Sequence, residues 1–449
     1  MVHEIILGRS PKGIKKYGTD GTIFIGKQYI TMGKDTSLAN RVLLDVVNPH
    51  VLLICGKRGS GKSYTMGVIA EGIASLPDEV RNKISCLFFD TMGIYWTMKY
   101  PNMRDDDLLD EWEIESKGFE SEVRVFVPKG KLELLRSQDI PVDGAFSISC
   151  KDLSGIDWCS LLEINVNSSV GILINRVIIK LLSNGKSYGI RDIIKEINKD
   201  TKSTLEVKEA AINSFESADS WGLFSKEGVS VKELLSPGKI NVVDISMYAH
   251  IGGGFSIRAL IVGLISKKIL EERIIARKLE EKEDIERGWR YFQTEYVVGE
   301  KEHVPLVWIF LDEAHEFLPR EGKTLASNSL IQIIREGRQP GISFVLATQQ
   351  PGKIHTDVIT QSDLVLSHRV TSRIDIQALN NIMQTYLAGD IQTLLNMLPP
   401  LKGSAIVLDD KVEKMYPIQI RPRITWHGGS EPSLIKPTKK FSYETEGLV

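Results

Sequence analysis

Eight residues, GKRGSGKS from Gly56 to Ser63, have the types and spacing that phosphate binding requires. A phosphate needs hydrogen-bond donors on all sides and no Cβ in their way. Gly56, Gly59 and Gly61 permit a turn tight enough for successive backbone N–H groups to point inward. A helix expected from about Lys62 adds the positive end of its dipole. Lys62 is expected to reach the β/γ-phosphates of ATP, and Ser63 to ligate Mg²⁺. The candidate nucleotide-binding set is Gly56, Lys57, Arg58, Gly59, Ser60, Gly61, Lys62, Ser63 and Tyr64.

A second stretch, VWIFLDEAHEF, ends an apolar run on Asp312 and Glu313. An aspartate at a strand end can hold Mg²⁺ through its water shell, which makes Ser63 and Asp312 the metal candidates. The adjacent glutamate can polarise an attacking water. A small-molecule kinase has a substrate acceptor and needs no glutamate there, so the pair argues for hydrolysis. His315 and Glu316 do not make a zinc helix, because no second histidine follows four residues on. His315 reads as packing or local hydrogen bonding, and His303 as a surface residue.

The third stretch is REGRQPGISFVLATQQP, Arg335 to Pro351. A helix ends before Pro340-Gly341, and an apolar strand runs from Ile342 to Thr348. The γ-phosphoryl group gains charge in its transition state, and a guanidinium there is worth about 10³–10⁵ in rate. Arg338, at a helix end on the far edge of a sheet, suits delivery to a neighbouring subunit. The plainer alternative is the preference for cations at helix C-termini, worth about 0.3–1 kcal/mol. Arg335 is either a second edge arginine or a partner of Glu336 or Asp357. Gln349 can donate and accept at once, which suits reading a phosphate oxygen and a water together, or else it is a structural amide. The catalytic candidates are Lys62, Glu313, Arg338 and Gln349, with Asp90 and Arg335 as further candidates.

Buried strands must position these groups. Val51 to Cys55 is continuously apolar, as are ISCLFFD ending in Asp90, INVVDIS around Asp244, and LVWIFL before Asp312. Met66, Ile69, Ala70 and Ile73 recur at helical spacing after the glycines. Strands alternating with helices imply a mostly parallel sheet covered on both sides. The expected fold is α/β: a RecA-like core with a mostly parallel sheet, a mainly helical insertion and a short N-terminal β-rich flap. The expected division is a β-rich segment 1–48, an ATPase core of 49–100 and 236–429, a helical insertion 101–235, and a tail 430–449. One strand is expected within the insertion, at EVRVFVP, and a long helix from about 256 to 288.

The chain has 449 residues and a formal net charge of −2, so bulk charge does not make it a nucleic-acid glove. Contacts to a phosphate backbone would have to be local. Arg320, Lys323 and Lys353 are loop cations that could supply them or simply be solvated. Cys55, Cys86, Cys150 and Cys159 lack metal-ligand spacing and read as buried thiols of a cytoplasmic protein. No run approaches the roughly 18 apolar residues of a membrane span.

Taken together, HVLLICGKRGSGKSYTM, LFFDTMGIY, INVVDIS, VWIFLDEAHEFLP, IREGRQPGISFVLATQQP, LPPLKGSAIV and IRPRITWHGG resemble the HerA branch of the HerA/FtsK ring ATPases. The resemblance runs from about residue 45 to 429. It implies a hexamer that pulls double-stranded DNA through a pore using ATP and Mg²⁺. It also implies that Arg338 enters the neighbour's site, that Gln349 senses the γ-phosphate, and that Asp90 is the acidic residue of the DPHGEY-like stretch. Here Thr91, Met92 and Ile94 depart from that pattern. Typical members carry a full β-barrel that docks partners such as the NurA nuclease, whereas only about 50 residues precede the cradle here. The alternative function is an ATP-gated ring scaffold that assembles with an effector such as a nuclease.

Overall fold

The computed structural model describes residues 4–32, 35–290, 304–370, 372–383, 395 and 398–429. His303 and the expected tail 430–449 lie outside the described residues. In chain order the strands are Ile5–Leu7 (β1), Thr22–Met32 (β2), Asp35–Asp45 (β3), Val51–Cys55 (β4), Ile84–Asp90 (β5), Val123–Pro128 (β6), Gly144–Phe146 (β7), Ile148–Ser149 (β8), Phe224–Ser225 (β9), Ile240–Asp244 (β10), Leu306–Leu311 (β11), Ile342–Thr348 (β12), Leu364–His368 (β13), Ser404–Asp409 (β14) and Lys414–Ile420 (β15).

Thirteen of them form one sheet in the order β1-β3-β2-β15-β14-β13-β4-β12-β11-β5-β10-β6-β7. From β13 to β7 every pairing is parallel. The apolar runs of β4, β5, β11 and β12 have this cause: successive side chains leave both faces of the sheet, and both faces are covered. Val51, Leu53 and Cys55 enter one core cluster, with the helical block around 155–220 and the long helix Gly254–Arg290. Leu52 and Ile54 enter the other, with Met66, Val68, Ile69, Ala70 and Ile73 of the helix Lys62–Ala74.

The register aligns the strand ends. Asp244 lies opposite Asp90, Leu311 opposite Phe89, and Thr348 opposite Cys55. Residues 56, 90, 244, 312 and 349 therefore share one carboxyl edge of the sheet, where open α/β sheets place their ligands. Phe88 of β5 stacks on Phe310 of β11 at 4.2 Å and 4°, which fixes the two acid-bearing strands side by side.

The N-terminal strands continue this sheet. β2 pairs antiparallel with β15, and β2 and β3 form one long hairpin. Gly26 makes the junction possible, since a Cβ there would lie 2.1 Å from the Gln419 carbonyl oxygen. Between 101 and 235 the strand expected at EVRVFVP is present as β6. The three-residue β7 and the short β8/β9 ladder were too brief to leave an apolar-run signal. The long helix extends two residues beyond the expected span at each end. Its charged half carries exposed pairs such as Arg277–Glu281, 3.3 Å, of a kind worth about 0.3–0.5 kcal/mol. All four cysteines are free and buried. Among the described residues no helix is long and apolar enough to cross a membrane.

Candidate nucleotide site

The cradle joins β4 to the helix Lys62–Ala74. Gly59 and Gly61 adopt φ of +74° and +115°, the left-handed region that L side chains avoid. Gly56 is required for space, because a Cβ would lie 2.3 Å from Ser60 Oγ and 2.8 Å from His368 Cβ. The Lys62 ammonium is buried within the loop, with a long 3.4 Å bond to the Lys57 carbonyl. Burial lowers its pKa despite the nearby Asp312 and Glu313 carboxylates. Ser60 Oγ is buried without a hydrogen-bond partner. A desolvated cation, an orphaned hydroxyl and a glycine-rich turn are a fit for an anionic phosphate.

Ser63 Oγ donates to Asp312 Oδ2, so the two metal candidates meet at one point. Among the described residues no group of three or more His, Cys, Asp or Glu could hold a metal ion. The Ser63 and Asp312 oxygens are a donor set of the kind Mg²⁺ accepts, since it takes one or two protein oxygens and completes its shell with water and substrate phosphates. Glu313, at φ +50°, lies in the turn after β11, and its Oε1 accepts a hydrogen bond from Gln349 Nε2. Its other oxygen, Oε2, is buried without a hydrogen-bond partner. Burial, reinforced by Asp312, raises the Glu313 carboxyl from its ordinary value and makes it a stronger base than an exposed carboxylate. His315 Nδ1 lies 3.2 Å from Thr348 Oγ1, the local hydrogen bonding that its sequence context suggested.

Two walls of the site were not legible as such in the sequence. The Lys57 N–H donates to the Arg369 carbonyl at 3.0 Å, and His368 Nε2 lies 3.0 Å from Thr65 Oγ1. Burial lowers the His368 imidazole to about 4, so it is neutral. From the other side the Gly403 N–H donates to the Ser60 carbonyl at 3.3 Å, and Gly403 needs its φ of +87°. LPPLKGS therefore supports the cradle.

The second wall is a clasp on the phosphate helix. Glu71, fully buried there, accepts from Arg421 Nη1 at 3.0 Å, Arg423 Nε at 2.9 Å, the Ile424 and Thr425 N–H groups, and Thr425 Oγ1. Burial alone would raise the Glu71 carboxyl, but Arg423 and Arg421 outweigh it and hold it below its ordinary value. The Arg423 N–H donates to Tyr64 Oη at 2.6 Å, and the Tyr64 ring meets His427 edge-on at 5.2 Å. Tyr64 thus turns its ring to the closing RPR…HGG stretch. A lone glutamate in the apolar run VIAEGIA was the available signal for this clasp.

Asp90 accepts from the Met92, Gly93 and Tyr95 N–H groups at 3.2, 2.7 and 2.8 Å. Burial and then Asp244 push it up to about 7, while Asp244 is itself raised by burial. The pair sits beside β11 on the same edge as the cradle. Asp90 shapes the turn of DTMGIY, where Gly93 leaves room for Ser246.

Arg338 is elsewhere. It precedes β12, whose seven residues at about 3.3 Å each put it about 20 Å from the carboxyl edge. Its Nη2 pairs with Asp363 at 3.0 Å while the side chain stays 49% exposed. Arg335 pairs with Asp357 at 2.7 Å, one of the two partners the sequence offered. The turn between them and β12 is held by the fully buried Arg273, whose Nε donates to the Pro340 carbonyl at 2.7 Å.

The family described as "Helicase HerA, central domain" matches residues 24–269. The DNA double-strand break repair helicase HerA of Sulfurisphaera tokodaii is 23% identical over 450 residues, covering 95% of this chain and 75% of that protein. A probable DNA double-strand break repair helicase HerA of Methanocaldococcus jannaschii is 30% identical over 198 residues, 40% of this chain and 37% of the relative. Among solved structures, VirB4 of Thermoanaerobacter pseudethanolicus aligns over 93% of this chain and 98% of its own, at 11% identity and a TM-score of 0.53. That likeness concerns the fold: a mostly parallel phosphate-loop ATPase sheet. With the cradle, the Ser63–Asp312 pair and Glu313 gathered on one sheet edge, the chain belongs to the HerA central-domain family and is a HerA-type ATPase.

Proposed function

We propose that this protein is an ATP-driven double-stranded DNA translocase that works as a homohexameric ring. The observation that carries the reading is the position of Arg338. It is half-exposed on the edge of the sheet opposite its own cradle, so it can serve a phosphate only on another subunit. Exposed Arg320 and Lys353 support the DNA part, since the Arg320 N–H donates to the Lys353 carbonyl at 2.8 Å and brings two loop cations together. The relatives named as DNA repair helicases support it as well.

In this mechanism the loop N–H groups and Lys62 hold the β/γ-phosphates, and Ser63 and Asp312 are the residues that would hold Mg²⁺, which would supply neutralising charge to the phosphate oxygens. Gln349 and Glu313 orient a water against the γ-phosphorus. Glu313 accepts its proton as the new O–P bond forms and the bond to ADP breaks. Arg338 of the neighbour stabilises the equatorial oxygens in that transition state.

The test is the ATPase rate with and without linear duplex across a range of salt, alongside imaging of the oligomer. Stimulation that weakens as salt rises is expected. A rate indifferent to duplex at every salt would favour an ATP-gated ring scaffold for an effector such as a nuclease. That second reading has one observation behind it: β1 to β3 extend the ATPase sheet itself, which gives this edge a surface of its own for a partner.

A further inference from the structure

We propose that Asp363 is the positioning residue for Arg338, tying the arginine that serves a neighbouring site to the base of its own phosphate-loop strand. The inference rests on the proposed role of Arg338 as an arginine finger delivered in trans, to the neighbouring subunit's site. Asp363 is 4% exposed and immediately precedes β13, which pairs with β4. Its Oδ1 accepts from the Val51 N–H at 2.8 Å, and Val51 opens the five-residue, fully buried strand that ends at the cradle. Its Oδ2 faces Arg338 Nη2 at 3.0 Å and His50 Nδ1 at 2.8 Å.

The carboxylate is braced from behind. His50 is fully buried, and its Nε2 lies 3.5 Å from Asp45, which is paired with the fully buried Arg9. Lys411 approaches Asp363 Oδ2 at 3.7 Å and donates to the Gly8 carbonyl at 2.7 Å. Asp409 accepts from the Gly8 N–H at 2.8 Å. A Cβ on Gly8 would meet the His50 ring at 2.6 Å, so the N-terminal segment closes tightly over this cluster. Every member except Arg338 and Lys411 is buried. This arrangement presents Arg338 to solvent rather than hiding it, since one guanidinium nitrogen is anchored and about half of the side chain faces outward. A flexible arginine held this way loses less freedom on entering a neighbour's site.

Asp363→Asn keeps an oxygen for the Val51 N–H but gives up the charge that orients Arg338. It should lower kcat roughly tenfold to a hundredfold while the KM for ATP stays within about twofold. The readout specific to positioning is complementation. Mixed with Lys62→Ala subunits, whose Arg338 and Asp363 are intact, Asp363→Asn sites should recover to roughly a quarter of the wild-type rate, well above either parent. Because Asp363→Asn leaves His50 without its partner, the double variant Asp363→Asn/His50→Gln removes the buried pair together and should be rescued in the same way. If neither variant is rescued while Arg338→Ala is rescued by Lys62→Ala, Asp363 acts on its own site and the inference is overturned. If Arg338→Ala itself is not rescued, it is the trans-finger reading that has failed.

Discussion

Glu71→Gln gives the sharpest test of how the closing stretch supports the phosphate helix. Its two oxygens receive five donors, with Arg421 Nη1 and the Ile424 N–H on Oε2 and Arg423 Nε, the Thr425 N–H and Thr425 Oγ1 on Oε1. An amide replaces one oxygen by NH₂, which then faces two or three donors. It also leaves two arginines, 5% and 1% exposed, without their counter-charge. Breaking one side of a buried ion pair costs about 3–5 kcal/mol. The chain has more than one core cluster and need not unfold in a single step, so hydrogen exchange at the Ile424 and Thr425 amides is the suitable assay. A loss of about 3 kcal/mol speeds their exchange on the order of a hundredfold. A change below about threefold would refute the clasp. Replacing Glu71, Arg421 and Arg423 together with apolar residues of similar volume should restore much of the protection.

Four further outcomes are expected. Lys62→Ala should abolish ATP hydrolysis, and Glu313→Gln should abolish turnover while a fluorescent ATP analogue still binds, read by steady-state rate and equilibrium titration. Asp90 has its carboxyl raised to about 7 in the folded state against about 3.9 in a free chain, so the folded protein binds the extra proton. Stability should therefore fall as pH rises from about 4 to about 7, and Asp90→Asn should flatten that part of a urea-midpoint profile. Gly72→Val should destabilise the fold, because even a Cβ would lie 2.8 Å from Ile23 Cβ where the N-terminal hairpin packs on the phosphate helix; thermal unfolding checks it.

The turn of the cradle was legible because its pattern is local: three glycines, a lysine and a serine fall within eight residues. Asp312, Glu313 and Gln349 were legible because each ends a continuous apolar run, and parallel strands bring such ends to one edge. The sequence also placed Arg338 on the far edge, since it precedes the strand that Gln349 follows. Residues acting through long-range contacts were hidden. Glu71 meets Arg421 and Arg423 about 350 positions away, and Asp363 meets His50 across 313. Neither pairing leaves a periodic trace. The course of the N-terminal strands was hidden for a similar reason, because nothing in HEIILG or GTIFIG states that β2 will pair with a strand near residue 420.

If each site of the proposed ring is completed by its neighbour, mixed rings will show it. Lys62→Ala and Arg338→Ala subunits are each expected to be inactive alone. Mixed in equal amounts and allowed to exchange, they should regain roughly a quarter of the wild-type ATPase rate, because half of the sites keep Lys62 and half of those meet an intact Arg338. A mixture no more active than its two parents would contradict the account.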